Sequence, residues 1–277
     1  MKKILFVCDG DHFSSAVFDY ARAINKQEKI LLKGFFMPSI DYSRMPSYAY
    51  ANSYEGLIPP DFYEEEDNMM EQSIAQFEDL CKTNNISYNI YKHTGFESLQ
   101  GLLDETRFSD IALVGSTHFL SVMDKDQPNM EMVRLLHDTE CPVLLVPEKF
   151  KEAENILFAY DGEASCMAAF KQFHLLMTQY STLPFTIVYF SLSGERLPNE
   201  DVILEYVKCH YPHFKTKTQD SQSVKNLDEW LAAYSNPVII TGSYSRSSFS
   251  RMFRRSFIST VIAHHQFPVF LFHGNKR

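Results

Sequence analysis

Lys3-Ile-Leu-Phe-Val-Cys-Asp9-Gly10 stands at the start of the chain, and Asn155-Ile-Leu-Phe-Ala-Tyr-Asp161-Gly162 repeats it just past the middle. Each copy is a short apolar run that ends in Asp-Gly and leads into a stretch with helical spacing. A second pair of segments closes each copy. Ile111-Ala-Leu-Val-Gly115-Ser116 precedes Cys141-Pro142-Val143, and Val238-Ile-Ile-Thr-Gly242-Ser243 precedes Phe267-Pro268-Val269. A repeated unit constrains the architecture before any single residue is weighed. Units of roughly 125–150 residues are large enough to bury a core each. The reading is two domains, residues 1–148 and 153–277, meeting near Pro147 to Glu154.

Within each copy, β-like runs alternate with helical patterns, which signals a parallel sheet with helices on both faces. Strands are expected at Lys3–Cys8, Ile30–Met37, Ser87–Lys92, Ile111–Gly115 and Val143–Val146, then at Ile156–Tyr160, Phe185–Phe190, Phe214–Lys217, Val238–Gly242 and Val269–Phe272. Helices are expected at Ser14–Asn25, Phe62–Asn84, Ser98–Thr106, Asn129–Asp138, Ser165–Gln179, Asn199–His210, Val224–Tyr234 and Ser256–His264. The first helix shows an apolar stripe at i, i+3/i+4 spacing through Ala16, Val17, Tyr20, Ala21 and Ile24. Runs such as Ile-Ala-Leu-Val are apolar throughout, as central parallel strands buried on both faces should be.

Composition narrows the class. The 277 residues are 45% hydrophobic and 22% charged, ordinary for globular domains. No apolar run approaches the ~20 residues of a membrane span, and Asp9, Gly10 and Asp11 cut short an opening that otherwise resembles a signal peptide. The five cysteines, Cys8, Cys81, Cys141, Cys166 and Cys209, form no C-x-x-C pair and suit reduced thiols, so a cytoplasmic location is expected. The net charge of −9 is unevenly spread. Residues 1–150 hold 13 basic against 24 acidic side chains, and residues 151–277 hold 13 against 11. So acidic a first half argues against nucleic acid as a partner, because phosphate neutralisation supplies most non-specific affinity.

One segment breaks the rhythm. Residues 38–61 carry Tyr42, Tyr48, Tyr50 and Tyr54 among prolines, and the second half has no counterpart. A loop beyond ~15 residues is usually functional or disordered, and tyrosines favour covering apolar surface. The segment reads as a lid packed over its own domain or over the neighbouring repeat, with a partner-docking surface as the alternative.

The strand-Asp-Gly opening, the Asp110-Ile-Ala-Leu-Val-Gly115-Ser116 run, Gly95 before the third helix and the Cys141-Pro-Val-Leu-Leu-Val ending together resemble the universal stress protein family. The resemblance covers both halves and implies a tandem member. It implies for each half a five-stranded parallel sheet in the order 3-2-1-4-5, the adenine nucleotide alpha hydrolase-like layout. It also implies that the final strands pair the halves across a pseudo-twofold axis as an internal pseudo-dimer, with a homodimer as a further option.

Nucleotide-binding members of that family carry G-x2-G-x9-G-(S/T) after the fourth strand, where glycines let backbone N–H groups approach phosphates at a helix N-terminus. In the first half Gly115 and Ser116 remain, but His118 replaces the second glycine, and Asn129-Met130 replaces the final pair. Asp124, Asp126 and Glu131 would repel phosphate, so a degenerate site is expected there, comprising Asp9, Met37, Gly115 and Ser116. In the second half the spacing holds through Gly242, Ser243, Ser245 and Arg255-Ser256, but Ser245 and Arg255 replace both later glycines and only the terminal serine is kept, with Arg246, Arg251 and Arg254 between. Arginine forks and hydroxyls suit a phosphate-bearing small molecule; a solvated basic loop, or one facing the acidic half, is the competing reading. The resemblance places Asp161 near ribose and adenine and Phe190 in the adenine pocket; bracing of the turn and core packing are their alternatives.

No catalytic residue is named by the sequence. His210-x-x-His213 and His264-His265 lack partners at recognisable metal spacing, and no metal is expected. No G-x-S-x-G elbow or complete P-loop occurs. The expected function is stress response through binding, with ATP or another adenine nucleotide as the possible ligand of the second domain and no certain cofactor. A ligand-free scaffold for protein partners and a slow ATP hydrolase stay open.

Overall fold

The computed structural model describes residues 1–9, 13–37, 60–93, 98–116, 130–191, 195–220, 230–231, 233–242 and 266–274. The first half runs β1 (Lys2–Asp9), α1 (Ser15–Gln27), β2 (Ile30–Met37), α2 (Pro60–Thr83), β3 (Ser87–Lys92), α3 (Ser98–Thr106), β4 (Ile111–Gly115), α4 (Met130–Asp138) and β5 (Val143–Val146). The second runs β6 (Asn155–Ala159), α5 (Ala164–Leu176), a 3₁₀ turn (Thr178–Tyr180), β7 (Phe185–Ser191), α6 (Glu200–His210), β8 (Phe214–Asp220), β9 (Pro237–Thr241) and β10 (Val269–Leu271). The Tyr-rich segment, most of the helix expected at Val224–Tyr234 and the helix expected at Ser256–His264 lie outside the described residues.

All ten strands join in one sheet, ordered β3-β2-β1-β4-β5-β10-β9-β6-β7-β8. Each half supplies the expected 3-2-1-4-5 order, parallel throughout. The final strands pair the halves as the resemblance implies: β5 and β10 run antiparallel, with Phe270 opposite Leu144, and join the two five-stranded sets into one ten-stranded sheet. The fusion has a physical cause. Both strands are short and apolar, and each presents an open row of backbone donors and acceptors that must be satisfied away from water.

An antiparallel seam relates the halves by a rotation about an axis through the sheet, so equivalent helices share a face. One continuous core holds Ala16, Val17 and Tyr20 of α1, Phe77 of α2, Phe170 and Phe173 of α5, and Val207 of α6, together with Leu144 and Phe270 from the seam. The opposite core holds Leu99, Leu102 and Leu103 of α3, Leu135 and Leu136 of α4, and Leu231. Ser14 caps α1, its hydroxyl accepting from the Val17 N–H at 3.3 Å. Between the halves, Lys2 Nζ donates to the Leu176 carbonyl at the end of α5 at 2.8 Å and pairs with Glu28 at 2.9 Å. The Tyr20 hydroxyl donates to the Lys151 carbonyl in the connecting segment.

Candidate functional site

In an open α/β sheet the crevice lies outside the strand carboxyl ends, where strand order reverses. Here that point falls between β1 and β4 in the first half and between β6 and β9 in the second. Because β5 and β10 run antiparallel, the two crevices open on opposite rims of the sheet. They cannot merge into one composite site.

At the first crevice, Asp9 ends β1 opposite Met37, and Gly115 ends β4 opposite Val146. Met37 is buried in the core beside Leu5, Val7 and Val114. Ser116 is 4% exposed; its N–H donates to the Val146 carbonyl at 2.8 Å, while its hydroxyl is buried without a hydrogen-bond partner among the described residues. The Asp9 side chain lies outside the described residues.

The second crevice is better defined. Asp161 follows β6, and its Oδ1 accepts from the Glu163 N–H at 2.9 Å. That bond bridges two residues along the chain, the arrangement by which aspartate braces a turn. Gly162 takes φ +86°, the left-handed region, and a Cβ there would stand 2.8 Å from Pro198 Cβ. Asn199 follows at φ 51° as the N-cap of α6, its side chain near the Tyr160 hydroxyl. Burial raises the Tyr160 hydroxyl above its ordinary value, against the lowering influence of Asn199. The sequence gives little sign of this clasp; the Pro198-Asn199 pair is its one turn signal.

Gly242 ends the strand run at β9. A Cβ there would lie 2.6 Å from Ser165 Oγ and 2.7 Å from the Cys166 backbone nitrogen. Glycine lets the strand end press against the first turn of α5. Its backbone hydrogen-bonds the Cys166 thiol, which burial pushes up to about 12. Phe190, half-buried near the end of β7, packs its ring 5.4 Å from Trp230. Lys217 of β8 holds its ammonium 5.6 Å from the Trp230 ring and 5.5 Å from Tyr234. Ser243, Ser245, Arg255 and Ser256 lie outside the described residues. The structure therefore brings Asp161, Phe190 and Gly242 to one rim, and Met37, Gly115 and Ser116 to the other. Among the described residues no three His, Cys, Asp or Glu side chains converge as a metal site requires, and no helix is long and apolar enough to cross a membrane.

An open, mostly parallel sheet with this strand order and paired switch points defines a class of α/β proteins whose ligands sit on loops. Solved structures narrow it further. A universal stress protein from Archaeoglobus fulgidus DSM 4304 superposes with a TM-score of 0.66 at 15% identity, covering 99% of this chain and 97% of its own. A putative universal stress protein from Pseudomonas aeruginosa UCBPP-PA14 gives 0.55 at 14% identity, covering 99% and 93%. A functionally unknown protein from Pseudomonas aeruginosa PAO1 gives 0.55 at 13% identity over the same shares. The chain has the universal stress protein fold. No protein-family model matches its sequence, and no curated protein matches it.

Proposed function

We propose that this chain is a stress-response protein of two universal-stress-protein domains, residues 1–148 and 153–277, acting by binding rather than turnover. Its second domain takes a phosphate-bearing small molecule, with an adenine nucleotide the first candidate. The observation that carries this reading is Gly242, which seats the end of β9 against the N-terminal turn of α5. The Arg- and Ser-rich segment continues from that position, beside backbone N–H groups that favour an anion. In this reading Arg255 and Ser256 hold the phosphate, Ser243 and Ser245 add hydroxyls, and Phe190 offers an apolar wall.

Titration calorimetry of the full chain with ATP, ADP and inorganic phosphate tests the proposal. Losing one charge-assisted contact of ~1.5–3 kcal/mol in Arg255→Ala should weaken binding roughly ten- to a hundredfold, and Ser116→Ala in the other half should leave it unchanged. Binding unaffected by Arg255→Ala and Ser256→Ala overturns the site. A second reading, a scaffold for protein partners, is favoured by Asp161, whose Oδ1 is already engaged in bracing its own turn. Chains that bind none of these ligands but capture a protein partner would support it. A slow ATP hydrolase ranks last, since the sequence names no nucleophile and Asp161 Oδ1 is engaged in its own turn.

A further inference from the structure

Two imidazoles meet where α5 packs on α6. His174 stands in the last turn of α5 and His210 ends α6, and their ring centroids lie 4.1 Å apart with a 49° tilt. Tyr206 and Phe170 pack on His210 at 5.1 and 5.9 Å, and Tyr211 lies 5.9 Å from His174. His174 Nδ1 and the Tyr211 hydroxyl are both buried without a hydrogen-bond partner among the described residues. Lys171 of α5 adds a cation, its ammonium 5.4 Å from the Tyr206 ring. Sequence spacing draws attention to His210 with His213; the fold instead sets His210 against His174.

The chemistry of this cluster is conflicted. His174 sits in the last turn of α5, where a helix dipole favours a cation. A proton there is opposed by loss of water around its buried ring nitrogen and by His210 beside it. Burial, and then the neighbouring His210 charge, hold the His174 imidazole below its ordinary value. Burial also pushes the Tyr211 hydroxyl up to about 12, so it cannot supply a compensating anion.

The geometry points to a proton-sensitive joint between α5 and α6: neutral rings pack together, and acidification drives them apart and frees α6. The joint also reaches the second crevice. Pro198, just before the Asn199 N-cap of α6, lies against Gly162, so freeing α6 loosens the Asp161 turn. The device stands whether or not that crevice binds phosphate.

The sign follows from linkage. An opened α6 exposes His174, which then binds protons at the ordinary imidazole value of ~6.5. The packed form binds them only at lower pH, so opening is favoured as pH falls through that window and levels off below it. Two measurements on the full chain test this. In the histidine ring-proton NMR titration, His174 should titrate below ~6.5 and move upward in His210→Gln. Hydrogen exchange of α6 amides, corrected for intrinsic rate, should lose protection by up to about tenfold per pH unit below ~6.5. That dependence should vanish in His174→Gln. A His174 midpoint at or above the ordinary value in the wild-type chain, or α6 protection equally pH-dependent in His174→Gln, overturns the joint.

Discussion

Phe6 and Phe158 occupy the same place in the repeated motif, and both are fully buried. Their neighbours differ. Phe6 meets Phe77, reaching in from the 24-residue α2, with ring centroids 5.2 Å apart. Phe158 instead meets Phe170 of α5 at 5.3 Å, while the equivalent of α2 is the 11-residue α6. One sheet geometry thus accepts two solutions for covering the same ring. The strands dictate where an aromatic must be covered; the helix that covers it is free to vary. The crevices lie at the ends of the same strands, so the two halves can differ there while sharing one sheet geometry.

The seam offers the severest test of how far the halves act as one. Phe270 is fully buried at β10, 5.2 Å from Phe173 and opposite Leu144 across the seam. Phe270→Ala should cost about 3–5 kcal/mol in urea unfolding. The chain has a single tryptophan, Trp230, which reports the second half, while circular dichroism reports both. Because both cores run through the seam, the two signals should shift together. A tryptophan transition that moves alone would break the view of a continuous sheet.

Gly242→Ala sharpens the comparison at the crevices. The added methyl meets backbone atoms of Ser165 and Cys166 that no side-chain rotation can clear. A loss of about 1–3 kcal/mol is expected, with reactivity of Cys166 toward thiol reagents rising as the first turn of α5 shifts. A neutral result would show that close packing there is dispensable.

The smallest effect concerns Lys2, which ties the start of β1 to the end of α5. Its hydrogen bond, and next its charge, hold the Glu28 carboxyl below the ordinary 4.5. A lowered carboxyl stabilises the fold above its ordinary value and loses that contribution as pH falls through the lower folded value. Lys2→Met should therefore be slightly less stable than wild type near neutral pH, with the difference shrinking in acid. Acid-unfolding curves that stay parallel would assign the effect of Lys2 to its bond with Leu176 alone.

Much of the fold is legible in the sequence. The strands Ile30–Met37, Ser87–Lys92, Ile111–Gly115 and Val143–Val146 begin and end where apolar patterning places them. The misses have local causes. The strand at Phe214 runs on to Asp220 rather than stopping at Lys217, because an edge strand can carry Lys, Thr and Gln that apolar patterning ignores. The helix expected through Gln179 ends at Leu176, where Met177 leaves helical angles at φ −108°, ψ 51° and a 3₁₀ turn follows. The pairing of Val143–Val146 with Val269–Leu271 comes from the family resemblance and not from patterning, since two apolar runs do not declare their partner. At the crevice, the sequence singles out Gly242 and Asp161, and the structure places both at the strand ends. Their contacts, helix packing for one and a turn bond for the other, depend on neighbours remote in sequence or on backbone angles.

Carrying both halves of the seam in one polypeptide has a kinetic and an evolutionary consequence. A seam between separate chains forms and breaks with concentration, whereas a linked one operates at a high, fixed effective concentration. Dilution cannot part these halves, nor can they exchange with foreign subunits. Identical subunits must also present identical rims, so any change to one is imposed on both. A covalently joined pair escapes that symmetry, and mutations can tune one rim while the other keeps its inherited shape.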